Sequence, residues 1–258
     1  MRDTRGRYEM PATVAWAGRA ALLVVLVVFW QLASGTLLPT FYVSSPSKVF
    51  EVLVRWISDG TIWQHVGTTV GVLFLGYVIG ATMGIASGLW LGLNPRAERI
   101  LQPFIAALFG LPKMALLPLL IIVFGIGMVS KVVLVASVVV FLLLFATLSG
   151  VRDIDKDMVE SLRLMGATEQ ELTRKVRMPA ILPWIYTGLR TSIGYALTTT
   201  VVSEALQSNR GLGFLIEHSA VSFNAAGVFA AVIALLVLST AIMLPLGALE
   251  ARQKPTRL

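Results

Sequence analysis

The chain has 258 residues, of which 56% are hydrophobic and only 14% charged, against about 25% charged in an ordinary soluble domain. It holds no cysteine, which excludes disulfides, thiolate metal sites and cysteine nucleophiles. Its net charge of +7 would suit a nucleic-acid partner, but the apolar residues gather into runs near the ~20 residues that cross a bilayer, so the sequence predicts an all-α integral membrane protein of one domain.

Residues 1–19 are polar and basic. The first apolar run covers about 20–38. A basic flank before an apolar core can be a secretory signal, but this run is longer than a usual signal core and others follow, which predicts an uncleaved first span. Residues 39–60 form an extramembrane connection. Within it, Ser47 to Ser58 carries Val49, Phe50, Leu53, Trp56 and Ile57 at helical spacing, a pattern for a short interfacial helix; Trp56 and Trp63 suit the headgroup level.

The second span, about 66–93, carries a ladder of Gly76, Gly80, Gly84, Gly88 and Gly92, preceded by Gly67 and Gly71. Glycine every fourth residue makes a face on which another helix backbone can approach closely, which predicts a packing role. The third span, about 100–126, is interrupted by Pro103, Pro112 and Pro118 and contains Lys113. Proline removes a helix hydrogen bond, and the freed carbonyls must face protein or a water-filled cavity. The fourth span, about 132–150, is almost uniformly apolar. The fifth, about 183–206, is rich in hydroxyls. Residues 207–225 form an outer segment with Arg210-Gly211-Leu212-Gly213 as a turn, and the sixth span, about 226–249, ends in a basic tail.

Six spans place both termini on one side. Of the 21 Lys and Arg, fifteen fall at the termini, in the 94–99 turn and in the loop after the fourth span; Lys48, Arg55, Lys131 and Arg210 fall on the other side; Lys113 and Arg190 lie within spans. The positive-inside rule then makes both termini and that loop cytoplasmic, and the basic excess needs no nucleic acid.

The loop, 157–179, is the longest polar interruption. It reads as two short helices joined at Gly166, which tolerates a positive φ. Asp157 with Glu160, and Thr168 with Glu171, have capping-box spacing, and Met178-Pro179 is expected to end the second helix. A helix-turn-helix DNA reader would need a soluble domain around it, which the chain does not supply.

Polar groups within spans are candidates for a transport pathway. Lys113 and Arg190 are costly at mid-bilayer, so each either snorkels, pairs, or faces an anion. Ser192, Thr199 and Ser203 share a face of the fifth span with Tyr195 near it, a candidate pathway lining. Glu204, near the outer end, either lines a gate or pairs with a base. His65 and His218 fall outside the expected spans with no metal-ligand company, which predicts interfacial histidines.

Glu160-Ser161-Leu162, then Gly166, then Val176-Arg177-Met178-Pro179 resembles the EAA loop of ABC importer permeases, with departures at Ser161, Leu162 and Met178. Ser45-Pro46-Ser47, the stretch Gly110 to Lys131, and Thr187-Gly188-Leu189-Arg190 resemble the nitrate/sulfonate/taurine branch of the same permeases. The likeness extends from about residue 40 onward. It implies a type I ABC importer permease fold in a bacterial inner membrane, two permease subunits forming the pathway as a homodimer, two ABC ATPase subunits that bind ATP and Mg, and an extracytoplasmic solute-binding protein. It also implies that Glu160, Ser161, Arg163, Gly166, Ala167 and Pro179 couple to the ATPase. The branch handles nitrate, sulfonates, taurine, vitamin precursors and other small organic molecules, and Lys113 leans the expectation to a small anionic solute.

The residues agree with the resemblance on one point by themselves: no Gly-Lys pair occurs, so the chain has no GxxxxGK[ST] phosphate loop and an ATP motor must be another chain. A channel would need a ring-forming filter, and an intramembrane enzyme a nucleophile with a base in reach; neither pattern is present. A secondary transporter with no ATPase partner is the alternative class, although only the third span is clearly broken and no second half matches it.

Overall fold

The computed structural model describes residues 12–36 and 39–253, with side chains described between 13 and 244. The basic extremes of the chain and residues 37–38 of the expected first span lie outside it. The elements in order are α1 (Ala12–Ala33), α2 (Thr40–Val43), α3 (Pro46–Ser58), α4 (Thr61–Leu93), α5 (Pro95–Gly110), a single 3-10 turn (Lys113–Leu116), α6 (Leu117–Phe124), α7 (Met128–Arg152), α8 (Lys156–Leu164), α9 (Glu169–Leu172), a π-turn (Thr173–Arg177), α10 (Met178–Gln207), α11 (Leu212–Val221) and α12 (Ala225–Gln253). Among the described residues, four helices (α1, α4, α7 and α12) are long and apolar enough to cross a membrane, and the bent pair α5–α6 makes a fifth. At 30 residues α10 has the length, but its hydroxyls make it less apolar.

The glycine ladder sets the centre of the fold. Helices α4 and α7 run parallel, and each glycine admits one turn of α7. A Cβ on Gly76 would lie 2.6 Å from Val135 Cβ, on Gly80 2.7 Å from Val139 Cβ, on Gly84 2.6 Å from the Val140 carbonyl oxygen, on Gly88 2.7 Å from Thr147 Cβ, and on Gly92 2.7 Å from Val151 Cβ. Small residues let the backbones meet without a void, and Val72, Leu73, Val135, Val139 and Leu143 are buried along the seam. Helix α10 lies antiparallel on this pair, with Gly188 against Ala146 and Trp184 against Gly150.

An outer layer covers one end. Val49 and Val52 of α3 pack on Ala230 of α12, so the interfacial helix is also a packed one. Leu212 and Leu215 of α11 pack on Ala231. By contrast, α1 is largely exposed except at its end, where Trp30 packs on Phe229 and Ala33 is buried.

The expected third span is two helices bent by 83°. The break falls at Leu111-Pro112, while Pro103 is carried inside α5 and Pro118 sits in the first turn of α6, where a missing N–H costs nothing.

Candidate functional site

The loop after α7 folds as a capped knob. Asp155, and not Asp157, is the N-cap of α8: its Oδ1 accepts the N–H groups of Asp157 at 2.9 Å and Met158 at 3.1 Å. Glu160 does not reach back to Asp157; its Oε2 accepts from Arg163 Nη1 at 2.8 Å, so the expected capping box of the first short helix does not form. Gly166 takes φ +93°. Ala167 N–H donates to the Leu162 carbonyl at 3.1 Å and Gly166 N–H to that of Arg163 at 3.0 Å, the pair of bonds that closes a helix through a left-handed glycine. Thr168 and Glu171 form the expected capping box. Hydrogen bonds from Lys175 and from Thr168 hold the Glu171 carboxyl down at about 2.

The expected helix stop at Met178-Pro179 does not occur. Pro179 lies in the first turn of α10, and the turn before it widens: Met178 N–H donates to Thr173, five residues back. Proline cannot donate and crowds the carbonyl four residues before it; the π-turn absorbs both effects with one inserted residue. The chain is therefore helical without interruption from Glu169 to Gln207.

Leu164 and Met165 stand at the tip of the knob, each 83% exposed, between Arg163 and Gly166. Beneath it a recess of about 490 Å³ is lined in part by Gly92, Val151, Val159, Glu160, Arg163 and Arg177.

On α10, the hydroxyl face singled out from spacing turns inward. Ser192, Thr199 and Ser203 are buried and bond their own helix, Ser192 to Leu189 at 3.1 Å, Thr199 to Tyr195 at 2.8 Å and Ser203 to Thr200 at 2.7 Å. The correction has a simple cause: a hydroxyl satisfied by its own backbone packs as a small apolar group. Tyr195 is on the open side with Thr187, Thr191 and Thr198. There a recess of about 360 Å³ is lined by Thr191, Gly194, Tyr195, Thr198, Ser239 and Met243.

Lys113 is turned back on the break. Its Nζ donates to the carbonyls of Leu108, Phe109 and Leu111 and lies 4.6 Å from the centre of the Phe141 ring. It thus caps the carbonyl end of α5.

Glu204 lines no open gate. It is fully buried, and its Oε2 accepts from Thr69 Oγ1 at 2.9 Å and from the Gly213 N–H at 3.1 Å. Thr69 Oγ1 in turn accepts the Leu212 N–H at 2.9 Å. His65 lies inside α4, buried, where its Nδ1 accepts the Gly211 N–H at 3.0 Å. Lys131, also buried, donates to Ser208 at 2.8 Å. Together these groups clamp the start of α11 to α4, α7 and α10. Sequence spacing does not reveal this clamp; its signal is two charged residues and a histidine near the ends of three long helices.

Residues 76–255 match the family described as the binding-protein-dependent transport system inner membrane component. The chain belongs to this family. It is the membrane-spanning permease of a binding-protein-dependent ABC importer, which sets aside the secondary transporter. The permease is 33% identical over 241 residues to the taurine transport system permease protein TauC of Escherichia coli K12, covering 91% of this chain and 87% of that one. It is 33% identical over 247 residues to the riboflavin transport system permease protein RibX of Chloroflexus aurantiacus, covering 95% and 90%. Among solved structures, the inward-facing MetNI methionine ABC transporter shares the fold of the permease, with a TM-score of 0.62 at 20% identity over 72% of this chain and 92% of that one.

Proposed function

We propose that the permease crosses the membrane six times, counting the bent pair and α10, with both termini and the 156–177 knob in the cytoplasm. Two copies form the pathway, and two ATPase subunits, which carry ATP and Mg, dock on the knobs. A solute-binding protein delivers the solute from the other side. The observation that carries this reading is the pair Leu164 and Met165, fully presented to solvent at the end of a knob that is otherwise charged and rigidly capped. Exposed apolar side chains rimmed by polar groups mark a docking site. Glu160, Ser161, Arg163, Gly166, Ala167 and Pro179 shape that knob.

The solute is a small anion of the sulfonate or nitrate kind. Relatives named for taurine and aliphatic sulfonates support this, as does the open side of α10, where Thr191, Tyr195, Thr198 and Ser239 offer hydroxyls beside Leu197 and Met243. Tyr195 and its neighbours line the pathway in this reading, with Ser192, Thr199, Ser203 and Glu204 supporting them from behind, and Lys113 holding the broken span.

Two measurements test it. Leu164→Asp with Met165→Asp should insert normally and fail to copurify the ATPase; undiminished copurification would contradict the docking site. A cysteine at Glu171 should resist an impermeant thiol reagent applied outside intact cells; ready labelling would reverse the orientation.

A further inference from the structure

Both carboxylate oxygens of Glu169 are taken, and from opposite sides. Arg163 of α8 donates to Oε1 through Nε at 3.0 Å and Nη2 at 2.5 Å. Arg177, at the foot of α10, donates to Oε2 through Nη1 at 3.0 Å and to Thr173 Oγ1 at 3.3 Å. The backbone between α8 and α10 has two irregular points, the left-handed reversal at Gly166 and the π-turn at 173–177. Each ion pair straddles one of them: Arg163 to Glu169 spans the reversal, and Glu169 to Arg177 spans the π-turn.

An isolated reversal or a π-turn lets the flanking helices flex. Closed by Glu169, the same path becomes a triangle of α8, α9 and the foot of α10. We propose that Glu169 is the positioning residue that makes the knob and α10 move as one body, so that displacement of α8 by a docked ATPase reaches the pathway helix. The proposal rests on the reading of the knob as the ATPase dock. Exposed ion pairs add little to folding stability, and these side chains are 45% exposed at Arg163 and 61% at Glu169, so their work is geometric. The hydrogen bond from Arg163 leads the effects that hold the Glu169 carboxyl below its ordinary range.

The test uses the whole complex of permease, ATPase and binding protein in proteoliposomes, with nitrate or taurine as the solute, and reads solute taken up per ATP hydrolysed. Glu169→Gln keeps the side-chain shape and removes the charge. It should assemble with the ATPase, hydrolyse ATP, and lose about fivefold or more in uptake per ATP, the lower end of ordinary coupling between sites. Arg163→Ala should lose as much, and Arg163→Ala with Glu169→Gln no more than either alone, because one brace is broken in all three. Glu51→Gln removes an exposed carboxylate on α3, outside the knob and its ion pairs, and should keep the parental ratio.

A parental ratio in assembled Glu169→Gln would overturn the proposal, as would an equal loss in Glu51→Gln. Failure of Glu169→Gln to bind the ATPase would make Glu169 a docking residue and also overturn it, while leaving the dock itself standing. The dock fails separately, if Leu164→Asp with Met165→Asp binds the ATPase and transports like the parent.

Discussion

Glu204 accepts the backbone N–H of Gly213 at 3.1 Å, so a carboxylate near the outer end of α10 closes the first turn of α11. Space around this contact is tight: a Cβ on Gly211, whose φ is +114°, would fall 2.1 Å from Glu204 Cδ. Glu204→Ala leaves the Gly213 N–H buried without its acceptor, while the Thr69 hydroxyl keeps the His65 carbonyl at 3.2 Å, and should cost about 1–3 kcal/mol. Gly211→Ala should be at least as damaging. Thermal unfolding in detergent measures both, and a parental Tm for either variant would contradict the clamp.

The glycine ladder makes a paired prediction. Gly84→Ala places a methyl group 2.6 Å from the Val140 carbonyl oxygen and should destabilise by ~1–3 kcal/mol through overpacking. Gly67→Ala, on the same helix, meets nothing within 4 Å and should be neutral or gain ~0.5–1 kcal/mol from reduced backbone freedom. Equal stabilities of the two variants would remove the close-packing account.

Lys113 serves the α5 end, so its removal should be felt in stability before transport. Lys113→Met loses the bonds to three carbonyls and the contact with Phe141, together worth ~1–2 kcal/mol, and should leave the KM for the solute unchanged. Lys113→Arg should retain stability. A raised KM with parental stability in Lys113→Met would return the residue to the pathway.

The α9 cap has a defined pH window. Glu171 is held at about 2 against an ordinary 4.5. A depressed carboxylate contributes stability that is complete above the unfolded value and is lost as pH falls toward the folded one. Amide protection at Thr168 to Leu172, corrected for intrinsic exchange, should therefore be the same at pH 7 and pH 5 and decline only below about 4.5. Loss of protection by pH 5 would contradict the cap.

Much of this was legible in the sequence where one residue type has one physical use. Glycine at every fourth position could hardly serve anything but close packing, and Gly166 and Thr168 with Glu171 gave the reversal and the second cap. Reading failed where a local rule had a second solution. Pro179 suggested a stop, but a π-turn carries the helix through. Ser192, Thr199 and Ser203 looked like a wet face, but their hydroxyls bond their own helix and pack inward. Asp157 with Glu160 suggested the first cap, but α8 starts at Lys156 and Asp155 takes that role. The clamp around Glu204 joins residues up to 146 apart in sequence, which no periodicity reports.

The central claim is that the 156–177 knob transmits ATPase work to the pathway, and Gly166 tests it most directly. No atom lies within 4 Å of a Cβ built there, so the constraint is the backbone angle alone, and a β-branched residue opposes it by roughly 1–2 kcal/mol or more, while asparagine tolerates it better. Uptake and ATP hydrolysis should be measured together in proteoliposomes, with and without binding protein, for Gly166→Val, Gly166→Asn and Glu160→Ala. The account predicts normal insertion in all three, a fall in ATPase association or in uptake per ATP for Gly166→Val and Glu160→Ala, and near-parental behaviour for Gly166→Asn. Parental uptake per ATP in both Gly166→Val and Glu160→Ala would contradict it.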